Sequence, residues 1–385
     1  MSRGRNFEAQ NPTSLTAQAK QRDLALDVLR VGAILLVFCF HFPKFQGEPV
    51  FGAVARFGWM GVDLFFVLSG YLIGAQILNA LQRDDFSFKR FYRSRFLRTL
   101  PIYLSVLTVY FLWPDFRERP EMSPLWKFLT FTQNFDLGSS AFSHAWSLSI
   151  EEQFYLICPA LLLGAWQMRR RSVSFGLFVI LLFAGLVYRH FAWTAFSALS
   201  QPQTKWDLYL RWIYFPTWGR LDGLTIGVGI AAVRTLLPSV WAKAGAMRTW
   251  IFTAGALVVA AAVLLFVDRL SWAATVFGFP LLSFGFGLIL IAVARSGAGV
   301  SKMPAPVAYG VARKAVSGLA ILSYSFYLIH KQVIHAVIEN LPVANSRAEH
   351  LALGGLSFCA STIAALFMYQ LIEKPFLKLR MRFER

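Results

Sequence analysis

Hydrophobic positions in this chain run in long blocks and do not alternate with polar ones. Ten apolar stretches, each near the ~20 residues that carry a helix across a hydrocarbon core, are separated by short polar or basic turns. They fall at about residues 24–42, 58–81, 96–113, 147–167, 174–192, 217–234, 250–267, 271–294, 318–339 and 351–373. Strands with the alternating polarity of a membrane barrel are absent from the pattern. It predicts an all-α fold, a polytopic transmembrane helical bundle of about ten spans in one domain, residues 23–376. A polar tail, residues 1–22, precedes it and a short basic end, residues 377–385, follows.

Composition agrees with a membrane class: 56% of the 385 residues are hydrophobic, with 37 Phe and 12 Trp. The net charge of +18 could suggest nucleic acid, but the basic residues sort to one side of the membrane. With the N-terminus inside, 24 Lys and Arg fall in the tail, the cytoplasmic turns and the C-terminal end, against 10 on the outer side. That asymmetry orients the bundle with both termini in the cytoplasm and excludes a nucleic-acid partner. The basic start followed by an apolar run imitates a secretion signal, yet Asp27 and Arg30 interrupt it and no small-residue cleavage site follows. The first helix is read as uncleaved. Cys39, Cys158 and Cys359 show no metal spacing and read as small buried hydrophobes.

Charged residues inside the apolar blocks carry the candidate chemistry, because an ionisable group within a span is costly unless it has a partner or a task. Arg30 and His41 share one block, LDVLRVGAILLVFCFHF. Eleven positions at ~100° each bring both to one helix face, ~16 Å apart along the axis, with Asp27 near that face. They suggest a polar track. Asp63, in GWMGVDLFFVLSGYLIG, is either an N-terminal acid favoured by the helix dipole or the orienting partner of His41, which ends at similar depth. Gly58, Gly61, Gly70 and Gly74 offer small faces for close helix packing.

FKRFYRSRFLRTLPIY places Arg93, Arg95 and Arg98 where the third span leaves the cytoplasm. They are either a positive-inside anchor or a fork for phosphate oxygens at a helix N-terminus, suited to a phosphate-rich donor such as coenzyme A. In FSHAWSLSIEEQFYLICP, Ser149 and Glu152 fit a capping box. A cap explains one carboxylate, not both Glu151 and Glu152. Glu152 shares a face with Tyr155, and Ser147 shares one with Glu151; Trp146 suits an interfacial belt. Arg220 and Asp222 of WGRLDGLTIGV form either a local ion pair or a polar site. SYSFYLIHKQV adds Tyr324, Tyr327, His330 and Lys331, and Glu373 precedes the basic end.

Taken together and in order, these blocks resemble the acyltransferase-3 family of bacterial integral membrane O-acyltransferases. Arg30, ten residues and His41 fit its hallmark spacing, and the resemblance runs from about Leu26 to Phe376. It implies ten spans in the bacterial inner membrane and transfer of an acyl group, commonly acetyl from acetyl-CoA, to a hydroxyl of a glycan, lipid-linked sugar or related acceptor. His41 would be base or acyl carrier, with Asp63 or Glu152 fixing its tautomer. Arg30, Arg93, Arg95 and Arg98 would hold the donor. Trp146, Ser147, Glu151, Arg220, Asp222 and His330 would face the acceptor, with the lipid bilayer as partner and no metal. A transporter, or a non-catalytic member of a glycan export complex, is the competing class.

Overall fold

Every regular element is helical among the described residues of the computed structural model, which are 23–46, 50–168, 171–198, 202–294 and 307–383. The expected polar tail, residues 1–22, lies outside them, as do Arg169, Arg170, Arg295 and Lys302. Asp23 starts the first helix, α1 (Leu24–His41), by accepting the Ala25 N–H at 3.0 Å, which satisfies one of the orphaned amides of a helix start. A short helix, Gly52–Phe57, and a 3-10 turn lead into α2 (Gly61–Gln82). Then come α3 (Phe88–Leu112), α4 (Trp146–Gln167), α5 (Arg171–Ser197), α6 (Asp222–Leu236) and α7 (Pro238–Ala246). The chain ends with α8 (Arg248–Leu265), α9 (Phe279–Val293), α10 (Val307–Glu339), α11 (Arg347–Met368) and α12 (Lys374–Phe383).

All ten expected stretches are helical, but the count of spans differs. Among the described residues, eight helices are long and apolar enough to cross a membrane, and nine if α6 and α7, bent by 105° at their junction, count as one span. The shortfall has a physical cause. Helix α6 has only 15 residues, and α10, with 33, carries Ser, Tyr, His, Lys and Gln through its middle. Those groups turn inward: Ser325, His330, Lys331 and Gln332 are buried. The outside is apolar, with Leu112, Ile180, Phe183, Leu257, Leu264, Phe367 and Leu371 exposed. Apolar surface on this scale, around a polar interior, belongs to a multi-pass membrane protein. Cys158 is buried as expected; Cys359 is on this outer surface instead.

Helix α2 sits at the centre because its glycines let neighbours touch its backbone. A Cβ at Gly61 would strike the Ala33 carbonyl of α1, and one at Gly70 the Leu224 carbonyl of α6. From the other side, a Cβ at Gly227 of α6 would strike the Val67 carbonyl of α2. Small residues permit this close approach where hydrocarbon supplies no hydrophobic drive between helices.

The caps of two helices differ from the sequence reading. Ser87 caps α3, accepting the Arg90 N–H, so Arg93, Arg95 and Arg98 lie one to three turns inside the helix and not at its N-terminal end. Helix α4 starts at Trp146, and Ser149 bonds back to the Ala145 carbonyl at 3.3 Å. The Ser149–Glu152 capping box therefore does not form.

Candidate active site

Three imidazoles meet at the end of the bundle opposite the arginines of α3. His41 is the last residue of α1, His330 lies on α10, and His144 sits in the 3-10 turn Ser143–Ala145 that precedes α4. Nε2 of His330 is 2.9 Å from Nδ1 of His41. The His144 ring lies 5.4 Å from that of His330 and 6.4 Å from that of His41, centre to centre. Nε2 of His144 donates to the Leu328 carbonyl at 3.1 Å, and its Nδ1 is buried without a hydrogen-bond partner. Just before that turn Phe142 takes a left-handed backbone, φ +56°, rare for a bulky residue. It is held by ring packing on Tyr103, Tyr110 and Phe128 and turns His144 inward.

Beside the histidines the loop after α3 is bolted to α10. Lys331 Nζ donates to Glu118 Oε1 and to Ser143 Oγ, both at 2.7 Å. Gln332 and Tyr110 donate to the other carboxylate oxygen at 3.2 and 2.9 Å. Burial pushes the Glu118 carboxyl up, but the Lys331 ammonium, His144 and the hydrogen bonds outweigh it and hold the group at about 2.

From the opposite end a cavity of about 1500 Å³ enters the bundle, larger than the ~300–1,000 Å³ of ordinary small-molecule pockets. Arg30, Arg95, Arg98, Gln76, Glu151 and Tyr155 line it, as do Val62, Phe65, Ser147 and Tyr327. No histidine among the described residues lines it. Tyr327 stands between, donating to the His144 carbonyl at 2.8 Å and lying 2.6 Å from Ser147 Oγ. Its ring centre is 5.9 Å from that of His330. The expected polar track is thus continuous except for this one layer.

The arginines separate by role. Arg98 lines the cavity with no hydrogen-bond or ion-pair partner among the described residues. Arg95 donates to Gln76 Oε1 at 2.8 Å and keeps Nε unpaired. Arg30 pairs with the buried Asp27 at 3.1 Å. Arg93 turns away from the cavity, donating to the Phe383 carbonyl at 2.8 Å with its guanidinium over that ring.

The carboxylates also separate. Glu151 faces the cavity and accepts from Ser69 at 3.1 Å and Tyr155 at 2.8 Å. Glu152 does not line the cavity, and neither it nor Asp63 is hydrogen-bonded to His41 among the described residues. Asp63 instead binds Arg220 at 2.9 Å, and Asp222 takes a two-pronged pair with the buried Arg189 of α5 at 2.6 and 3.2 Å. The local Arg220–Asp222 pair is replaced by two pairs that cross helices. Trp146 is buried, not interfacial: with Tyr214 and Phe279 it boxes the Arg220 guanidinium, which lies 3.9 Å from the Phe279 ring centre. Among the described residues no cluster of His, Cys, Asp or Glu is arranged to hold a metal ion.

The family model described as "Acyltransferase domain" matches residues 23–369. The chain belongs to the acyltransferase-3 family. Among the relatives of this acyltransferase is an uncharacterized protein of Haemophilus influenzae, 30% identical over 40% of this chain and 69% of its own length. The peptidoglycan O-acetyltransferase OatA of Listeria monocytogenes is 33% identical over 36% of the chain, and the O-acetyltransferase OatA of Staphylococcus aureus 29% over 35%. In both, the match spans 24% of the relative. No solved structure matches.

Two groups of this acyltransferase's histidine centre escape the sequence reading. His144 lies inside a quoted block, but the apparent capping box draws the helix start past it. Glu118 is one acid in a loop, and nothing in its neighbours announces Lys331, more than 200 positions away.

Proposed function

We propose that this acyltransferase moves an acetyl group from a coenzyme A thioester to a hydroxyl of a cell-envelope glycan or lipid-linked saccharide, within the bacterial inner membrane. The observation that carries the reading is the cavity: it opens among arginines and ends one side chain short of three imidazoles. The basic end is the cytosolic one, as the distribution of Lys and Arg favours. Arg98, which has no hydrogen-bond or ion-pair partner among the described residues, and Arg95 and Arg30, which line the same cavity, suit the phosphates of the donor, since guanidinium forks bind phosphate oxygens two at a time. The thin pantetheine arm lies along the cavity, and the Tyr327–Ser147 pair parts to pass the thioester. The names of the two OatA relatives support acetyl as the group, and that of the Listeria monocytogenes protein supports a peptidoglycan-type glycan as the acceptor.

His41 acts as the base. Its imidazole takes the proton of the acceptor hydroxyl as that oxygen attacks the thioester carbonyl, and returns it to the departing thiolate. His41→Ala, purified in lipid nanodiscs, is expected to lose acetyl transfer from acetyl-CoA to peptidoglycan glycan oligomers by at least ~10²-fold, with acetyl-CoA binding retained. Wild-type turnover in that variant would overturn the reading.

A further inference from the structure

The His41–His330 contact has a direction. Nδ1 of His330 lies 2.8 Å from the Tyr327 carbonyl and 3.2 Å from the Phe326 carbonyl. Carbonyl oxygens only accept, so Nδ1 carries the hydrogen. A neutral ring protonated at Nδ1 has its lone pair at Nε2, and that atom faces His41 Nδ1 at 2.9 Å. The bond therefore runs from His41 Nδ1–H to His330 Nε2, which leaves the lone pair of His41 on Nε2. The opposite assignment needs an imidazolium at position 330. That would bury a second cation beside Lys331, with no carboxylate hydrogen-bonded to either ring among the described residues, a costly arrangement.

We propose that His330 is the positioning residue of this enzyme: it holds His41 in the Nδ1–H tautomer and so makes Nε2 the base. A carboxylate does this work in the serine-protease triad; here a second imidazole does it, oriented by its own helix, because the anchoring carbonyls lie three and four residues before it on α10. The inference rests on His41 being the base. As the acceptor oxygen bonds the acyl carbon, its proton moves to His41 Nε2; the carbon–sulfur bond breaks and the thiolate takes that proton. While His41 is positive, its Nδ1–H bond to His330 is charge-assisted and stronger, so His330 steadies the charge that the step creates.

The test reads the ring nitrogens directly. The full chain, labelled with 15N-histidine in nanodiscs, is studied as wild type, His330→Leu, which removes the acceptor, and His330→Gln, whose Oε1 restores one. The His41→Ala spectrum identifies the His41 signals. The expected result is a bare Nε2 and a protonated Nδ1 on His41 in wild type and His330→Gln, and mixed tautomers in His330→Leu. With acetyl-CoA and peptidoglycan glycan oligomers, His330→Leu lowers kcat about 10²-fold, the lower end of what a positioned base supplies, with KM for acetyl-CoA little changed; His330→Gln recovers most of the loss. A wild-type His41 protonated at Nε2, or a His330→Leu protein whose His41 signals match wild type, overturns the proposal. If His41→Ala itself transfers acetyl normally, the base reading fails instead, whatever the tautomer.

Discussion

At the scale of single residues, the arginines and the loop acid give separable expectations. Arg98 offers a guanidinium to the cavity without a hydrogen bond or ion pair among the described residues. Arg98→Gln is expected to raise KM for acetyl-CoA by roughly 10-fold, the ~1.4 kcal/mol of one lost charge-assisted contact, with kcat unchanged, the signature of binding lost equally from ground and transition states. Steady-state thiol release measures it, and an unaltered KM would remove Arg98 from the donor site. Glu118 concerns stability. Its carboxyl is held at about 2, below the ~4.3 of an unfolded chain, so its contribution is full above ~4.3 and is lost as pH falls from there toward 2. Glu118→Gln leaves the Lys331 ammonium buried without its partner and is expected to cost about 3–5 kcal/mol. The deficit in thermal stability against wild type should be present at neutral pH and shrink as pH drops below 4.3. Sequence put Arg30 and His41 on one helix and Arg98 within another, because position along an apolar stretch is legible. It offered His41 as one possible partner for Asp63 and Asp222 as one for Arg220, because it reports nearness in the chain, not the direction in which each helix face is turned; the structure pairs Asp63 with Arg220 and Asp222 with Arg189.

At the scale of helices, all ten stretches were legible, the polar one at 318–339 included. Helix α10 fails an apolarity test for the reason it matters, since His330, Lys331 and Gln332 occupy its buried face. The start of α3 was misplaced because Ser87 precedes the apolar signal, whereas that of α4, read at 147, falls at Trp146. The small face of α2 was legible, and its partner across the interface is Gly227 of α6. Gly227→Leu would force those helices apart, since even a Cβ there meets the α2 backbone. The expected outcome is a loss of several kcal/mol, as for severe overpacking, seen as early unfolding in detergent. Gly164→Leu, where a Cβ meets nothing within 4 Å, should unfold like wild type. Equal stability of the two variants would contradict the packing argument.

At the scale of the whole molecule, the bundle is a deep hollow under a histidine centre, and Tyr327 and Ser147, which line the hollow and touch His144, form the partition between them. That thinness has an electrical consequence. Water filling the hollow conducts, so a membrane voltage falls not over the full ~30 Å of hydrocarbon but mostly over this partition and the rings above it. At ~100 mV each elementary charge crossing it gains or loses about 2.3 kcal/mol. The same few side chains that admit an acyl group must therefore also stop ions, and Tyr327→Gly is expected to make liposomes carrying the protein leak, read as collapse of an imposed diffusion potential with a voltage-sensitive dye. Vesicles that stay tight with glycine at that position would place the insulating layer elsewhere in the fold.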